Sequence, residues 1–217
     1  MTESTLPALP LPPGLRSRYV DGVNGLRLHL LEAGEPGRPA LLLLHGFPEL
    51  AYSWRKLMPP LAAAGYHVLA PDQRGYGRSS GFSTDYDADL LPFGMRNLVR
   101  DAVALLDALG IHRAAAVVGH DFGSPVAAWC ALLHPERFAS VALMSAPFGG
   151  PPGANTAGGD IHAALAALPR PRKHYQRHYT TREANAEMWR CPQGVHAFLR
   201  AYYHMKSADW APNQPYE

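Results

Sequence analysis

An aspartate stands between two glycines at the point where an apolar run gives way to a helical pattern. The pentapeptide Gly-His-Asp-Phe-Gly occupies residues 119–123. A nucleophile elbow needs small residues two positions before and after its nucleophile, because the turn is sharp and packs against both strand and helix. Asp121 is therefore a candidate nucleophile that attacks an electrophilic carbon and forms a covalent ester. An aspartate in front of a helix can also be an N-cap, so this pentapeptide alone leaves a structural role open.

A second segment, His-Gly-Phe-Pro-Glu at residues 45–49, directly follows an apolar run. We call this segment the oxyanion loop. Enzymes with a nucleophile elbow place one half of an oxyanion hole in such a loop. A backbone amide there points at developing negative charge, together with the amide of the residue that follows the nucleophile. Phe47 and Phe122 are the two predicted donors. The pairing of the two segments favours a catalytic role for Asp121.

Two histidines and a glycine-rich turn accompany these segments. We interpret His45 as a residue that fixes its loop and His120 as mainly structural, because a base must reach the proton that it abstracts. The turn at residues 72–79 contains glycines that permit a tight chain reversal beside the oxyanion loop. It lacks the Gly-x-Gly-x-x-Gly spacing of a phosphate-binding turn, so phosphate binding is disfavoured.

Alternating strand and helix patterns surround the candidate site. A β-hairpin is predicted from residue 18 to residue 31. Buried strands are predicted over residues 40–44, 67–70, 114–118 and 138–144, and helices over residues 52–64, 95–109 and 123–134. This alternation is typical of an α/β protein whose parallel sheet is flanked by helices on both faces.

The chain is predicted to have three parts. Residues 1–17 form a proline-rich N-terminal arm, residues 18–148 form the α/β core, and residues 149–217 form a Gly/Pro-rich linker with a helical region. Helices are predicted in this last part over residues 161–168, 181–189 and 194–206. No strand pattern returns after the linker.

Composition excludes several classes of partner. The formal net charge of +2 is too small to indicate nucleic acid or an anionic membrane surface as the main partner. The apolar runs are too short to span a bilayer, and the N-terminal residues do not have the pattern of a signal peptide, so a cytoplasmic protein is expected. Cys130 and Cys191 do not suggest a disulfide framework. His174 and His178 have helical metal-ligand spacing but lack a third ligand, so neither a metal nor a cofactor is expected.

Taken together, these segments resemble the epoxide hydrolase branch of the α/β-hydrolase superfamily. The order is His-Gly-Phe-Pro-Glu at residues 45–49, Tyr-Ser-Trp-Arg at 52–55, Gly-His-Asp-Phe-Gly-Ser at 119–124, and Ser-Ala-Pro-Phe-Gly-Gly-Pro at 145–151. The resemblance implies that Asp121 opens a small apolar epoxide to form an ester, from which water releases a vicinal diol. It extends from about residue 18 to the end of the chain.

The resemblance also implies further site residues. A tyrosine of a helical cap hydrogen-bonds the epoxide oxygen in this family, and Tyr175 matches it, with Tyr179 as the second choice. The implied substrate pocket is lined by His45, Pro48, Trp54 and His120.

The family's catalytic acid and histidine follow further strands on the C-terminal side of the cap. We expect those strands and helices to be absent here, so that the chain is an N-terminal portion ending inside the cap. A nucleophile without its base forms an ester that hydrolyses very slowly. The missing strands would also leave an open sheet edge.

Two other hypotheses remain open. A haloalkane or haloacid dehalogenase shares the aspartate nucleophile, but haloalkane dehalogenases tend to have an Asn or Gln and a Trp where this chain has Phe47 and Phe122. The chain could instead be a catalytically inactive remnant, or a protein that binds a partner through its sheet edge. Association between copies of the chain is left open.

Overall fold

The structure, a computed structural model, describes residues 6–150, 160–172 and 174–211. The chain divides into two compact units, Met1–Pro151 and Pro152–Glu217. The predicted linker begins at residue 149, and its residues 151–159 lie outside the described part of the chain.

The first unit is built on a six-stranded sheet with the order β1-β2-β4-β3-β5-β6. The strands are β1 (Leu15–Val23), β2 (Leu26–Ala33), β3 (Ala40–Leu44), β4 (His67–Pro71), β5 (Ala116–His120) and β6 (Val141–Met144). β1 and β2 form the predicted hairpin, β2 pairs antiparallel with β4, and the remaining pairs are parallel. The predicted α/β fold is therefore confirmed.

Three α-helices belong to this unit: α1 (Met58–Ala63), α2 (Met95–Ala108) and α3 (Gly123–Leu133). The prediction of one continuous helix over residues 52–64 is wrong, because a 3-10 helix, Ala51–Lys56, precedes α1. Pro59 and Pro60 explain the break. Proline has no backbone N–H to donate to the preceding turn, and it fits best in the first turn of a new helix.

The sheet is covered by apolar side chains on both faces. Leu42 and Leu44 of β3 contribute to one buried cluster with helix α2, while Leu41 and Leu43 contribute to a second cluster with Trp54. All five residues of β3 are buried, as expected of a central parallel strand. This rigid centre carries the loop at residues 45–49.

β6 is an edge strand with exposed apolar side chains: Val141 is 42% exposed and Met144 43%. It begins later than the predicted start at residue 138, because only an isolated bridge joins Phe138 to Ala114. For the same reason β5 begins at Ala116 rather than at residue 114. Within the described residues, β6 pairs only with β5.

The second unit contains the helices α4 (Ile161–Ala166), α5 (Tyr175–Tyr179), α6 (Ala184–Trp189) and α7 (Gly194–Met205). The predicted helices over residues 161–168, 181–189 and 194–206 are present in shortened form. Helix α5 was not predicted, because five residues are too few to show helical periodicity. No helix in the described part of the chain is both long and apolar enough to cross a membrane.

Candidate active site

The turn between β5 and α3 has the geometry of a nucleophile elbow. Asp121 has a φ of 52°, a left-handed conformation that few residues other than glycine adopt. A Cβ atom on Gly119 would clash with the carbonyl oxygen of Gly123, and one on Gly123 would clash with that of Leu44. The two glycines are therefore required by the close approach of the backbone to itself.

The Asp121 carboxylate faces the predicted oxyanion loop. The backbone N–H of Phe47 donates a hydrogen bond to its Oδ1 atom at 2.9 Å. Leu44 of β3 pairs in parallel with Gly119 of β5, so the loop and the elbow lie at the same edge of the sheet. Helix α3 has no side-chain N-cap bond, and its N-cap residue is Phe122. The alternative interpretation of Asp121 as a helix cap is therefore wrong.

Phe122 directly follows Asp121, and its side chain is 40% exposed. Its amide stands at the start of helix α3, where backbone N–H groups are not used inside the helix. Its role as the second oxyanion donor remains a prediction.

His45 is completely buried and holds the oxyanion loop in place. Its Nδ1 atom donates to the Gly46 carbonyl at 2.9 Å, and its Nε2 atom accepts from the backbone N–H of Gln73 at 3.1 Å. The Gln73 side chain donates in turn to the His45 carbonyl at 2.6 Å. Burial lowers the pKa of His45, so the imidazole is neutral at pH 7. These bonds leave His45 without a free ring nitrogen for proton transfer.

His120 connects the elbow to the far end of the same loop. Its Nδ1 atom lies 3.0 Å from Oε2 of Glu49, and its ring meets the Trp54 ring edge-on at a centroid distance of 6.5 Å. Trp54 is buried, and its indole Nε1 has no hydrogen-bond partner within the described ranges. Pro48 lies between Phe47 and Glu49, and the Phe47–Pro48 peptide bond is cis.

Tyr76 is a site residue that sequence reasoning missed. Burial raises the pKa of its phenol, and the negative charge of Asp121 raises it further. Its ring meets the His45 ring edge-on at 4.9 Å. Tyr76 lies in the turn after β4, which neighbours β3, so the turn and the oxyanion loop share one edge of the sheet. That strand order was the signal that could have identified it.

The candidate cap tyrosines lie in the second unit. Tyr175 begins helix α5, stacks on the ring of His174 at 4.8 Å, and has Nζ of Lys206 4.7 Å from its ring centroid. The rings of Tyr175 and Tyr179 are 6.1 Å apart. Burial, followed by the nearby Tyr202, raises the pKa of Tyr179. The assignment of Tyr175 to the site remains a prediction.

Within the described ranges, no histidine is hydrogen-bonded to the Asp121 carboxylate, whose Oδ1 atom accepts from Phe47. His120 pairs with Glu49, and His134, behind the elbow, pairs with Glu136 at 3.1 Å. The described site thus contains a positioned carboxylate and a backbone donor.

Comparison with known proteins identifies the family. Residues 39–169 match the family model described as the α/β-hydrolase fold. The chain belongs to the α/β-hydrolase fold family. This range includes the oxyanion loop and the elbow, so the resemblance predicted from the motifs is confirmed at the level of the family.

Several curated relatives are named epoxide hydrolases. Epoxide hydrolase A of Mycobacterium tuberculosis is 53% identical over 130 residues, which make up 60% of this chain and 38% of that protein. Bifunctional epoxide hydrolase 2 of Mus musculus is 40% identical over 146 residues, 67% of this chain and 25% of that protein. The chain therefore matches well under half the length of each of these relatives.

Solved structures of similar fold include epoxide hydrolases. An epoxide hydrolase from an endophytic Streptomyces matches with a TM-score of 0.71 and 38% identity, over 89% of this chain and 54% of that one. Potato (Solanum tuberosum) epoxide hydrolase I matches with a TM-score of 0.70 and 32% identity, over 88% and 56% respectively. The fold similarity thus includes most of this chain and about half of each structure.

Proposed function

We propose that this chain carries the nucleophile of an epoxide hydrolase, and that Asp121 opens a small apolar epoxide to give a covalent ester. The observation that carries the proposal is the 2.9 Å hydrogen bond from the Phe47 amide to Oδ1 of Asp121 on the elbow. This bond fixes the carboxylate and leaves Oδ2 to attack. The names of the relatives that share this segment support the choice of an epoxide as the substrate.

In the proposed first step, Oδ2 of Asp121 forms a bond to an epoxide carbon while the bond from that carbon to the epoxide oxygen breaks. The oxygen leaves as an alkoxide and takes a proton from the hydroxyl of Tyr175, which we assign as the proton donor. In the second step, water attacks the ester carbonyl, and the amides of Phe47 and Phe122 stabilise the oxyanion. Collapse of this intermediate releases the vicinal diol and restores Asp121.

The second step needs a base that removes a proton from water. Since no described histidine is hydrogen-bonded to Asp121, we expect the ester to persist in this chain. The family resemblance implies that a catalytic acid and a histidine supply this base.

Incubation with styrene oxide, and separately with a haloalkane, tests the proposal by intact mass and peptide mapping. We expect an adduct with the mass of one whole epoxide on Asp121, stable over hours. A haloalkane adduct without an epoxide adduct would instead support a dehalogenase. No adduct with either reagent would support a protein without catalytic function.

Gly46→Ala tests whether the fixed carboxylate matters. An added Cβ would clash with the Cβ atom of Asp121 and would lie 2.5 Å from its Oδ1 and 2.8 Å from its Cγ, so the Asp121 side chain must move relative to the Phe47 amide. Because a misplacement of about 1 Å costs on the order of 100-fold in rate, we expect adduct formation to slow about 100-fold. Intact mass spectrometry of samples quenched at successive times measures the rate of adduct formation. An unchanged rate in the folded variant would show that the Phe47 contact is dispensable.

Tyr175→Phe tests the proposed proton donor, with Tyr179→Phe as its matched control in the same helix. Loss of a general acid typically slows a step by about 100-fold or more, so we expect a slowing of this order for Tyr175→Phe and little change for Tyr179→Phe. The reverse order of effects would move the assignment to Tyr179. Equal, small effects would remove both tyrosines from the mechanism.

A further inference from the structure

A second group of polar side chains lies outside the elbow, on strands β1, β2 and the turn after β4. Oγ of Ser17 lies 2.9 Å from Nε2 of His29, and Nδ1 of His29 lies 2.8 Å from Oδ2 of Asp72. His29 and Asp72 are almost completely buried, whereas Ser17 is exposed to solvent. The three side chains form a continuous hydrogen-bond chain from the interior to the surface.

The protonation states of the side chains in this hydrogen-bond chain follow from the donors around Asp72. Its carboxylate also accepts from the backbone N–H groups of Ala51 at 2.9 Å and Arg78 at 3.0 Å. Burial acts to raise the pKa of Asp72, but the hydrogen bonds from His29, Arg78 and Ala51 outweigh it, so that the pKa is lowered. A charged Asp72 can only accept, so His29 donates from Nδ1; in the neutral tautomer that does so, Nε2 presents its lone pair to the Ser17 hydroxyl.

Further bonds fix the histidine. The backbone N–H of His29 donates to Oγ of Ser79 at 3.0 Å, and that hydroxyl donates to the Asp72 carbonyl at 2.5 Å. Tyr19, the cross-strand partner of His29, packs on its ring at a centroid distance of 5.5 Å. A hydroxyl within hydrogen-bond reach of a base, which is oriented by a third group, is the arrangement that activates a serine nucleophile.

We propose that Ser17 is a second nucleophilic site, independent of Asp121, which accepts acyl or phosphonyl groups from small activated esters. With an aryl ester, Oγ of Ser17 forms a bond to the acyl carbon while its proton passes to Nε2 of His29. The bond from that carbon to the aryloxide breaks, and the leaving phenolate takes the proton. Water, assisted by the same imidazole, then hydrolyses the acyl-serine and releases the carboxylic acid. This arrangement supplies base assistance to the attacking hydroxyl. We therefore expect substrates with good leaving groups to react faster than amides, whose leaving group is poor.

A fluorophosphonate tests the site directly, since Oγ displaces fluoride and leaves a stable adduct. Ser140 is the internal control, because it is also exposed but its hydroxyl donates to the Ala115 carbonyl at 2.7 Å instead of an imidazole. Base assistance contributes about 100-fold or more, so we expect Ser17 to be labelled at least about 100-fold faster than Ser140. Equal labelling of the two serines in the native protein would overturn the proposal, and this comparison needs no variant.

Variants extend the test. Ser17→Ala should remove both the label and the hydrolysis of p-nitrophenyl acetate, while alkylation of Asp121 by styrene oxide stays unchanged. His29→Gln should reduce the labelling of Ser17 to the level of Ser140 in protein that circular dichroism shows to be folded. Asp121→Asn should leave the labelling of Ser17 intact. Loss of ester hydrolysis in Asp121→Asn with retention in Ser17→Ala would assign that activity to the elbow and contradict the proposal.

Discussion

Asp121→Asn is expected to lower the rate of adduct formation with styrene oxide at least about a thousandfold, since loss of the nucleophile removes the covalent step. Asparagine keeps the size of the side chain, and its amide oxygen can still accept from the Phe47 amide, which donates at 2.9 Å in the native chain. The neutral amide, however, lacks the charge that makes a carboxylate oxygen attack carbon. Intact mass as a function of time measures the effect.

Asp21→Asn is the matched control. The Asp21 side chain is 80% exposed and lies 3.5 Å from the guanidinium of Arg27, on a strand at the opposite end of the sheet order from β6. Its removal should leave the adduct rate unchanged. If Asp121→Asn kept its adduct and peptide mapping placed it elsewhere, the elbow would not be the nucleophilic site.

The elbow could be predicted from sequence because its requirements are local. Gly119 and Gly123 are fixed by contacts of the turn with its own backbone and with Leu44, and no other residue type fits there. The hairpin and the central strands could be predicted in the same way, because their patterns of apolar residues indicate which side chains are buried. A local steric constraint therefore requires particular residue types at a fixed spacing in the sequence.

The supporting contacts of the site could not be predicted in this way. The packing of Tyr76 on His45 and the bonds from Gln73 to His45 depend on β4 lying beside β3. The pair between Glu49 and His120 depends in turn on β3 lying beside β5. Strand order is a property of the assembled sheet, so these partners are distant in the chain and share no periodic pattern.

The hydrogen-bond chain from Ser17 to Asp72 shows the same limitation more strongly. Its three members come from β1, β2 and the turn after β4, and none of them stands in a motif that suggests an activated serine. The glycines of the turn at residues 72–79 predict a tight chain reversal, but they do not reveal that Asp72 also accepts a hydrogen bond from the backbone N–H of Ala51, beside the oxyanion loop. One buried carboxylate thus links the hairpin to the segment that follows that loop.

Gly119→Ala is expected to destabilise the first unit by about 3 kcal/mol, the upper part of the usual range for overpacking. The added Cβ would clash with the carbonyl oxygen of Gly123 and would lie 2.6 Å from the Cα atom of Ser124. Both are backbone atoms, so no rotation of a side chain relieves the clash. Gly119 also pairs with Leu44 and Leu143 on its two neighbouring strands, which prevents β5 from moving aside.

Gly149→Ala is the control for the loss of glycine itself. No atom lies within 4 Å of a Cβ built on Gly149, and its φ is outside the left-handed region, so we expect a change within about 0.5 kcal/mol. Urea unfolding of both variants gives the free energies of unfolding. Similar values for the two variants would mean that helix α3 shifts freely against β5. In that case the elbow would not be rigid. The oxyanion loop, held by the hydrogen bonds of His45 and Glu49, would then have to maintain the 2.9 Å contact between Phe47 and Asp121 in place of the turn.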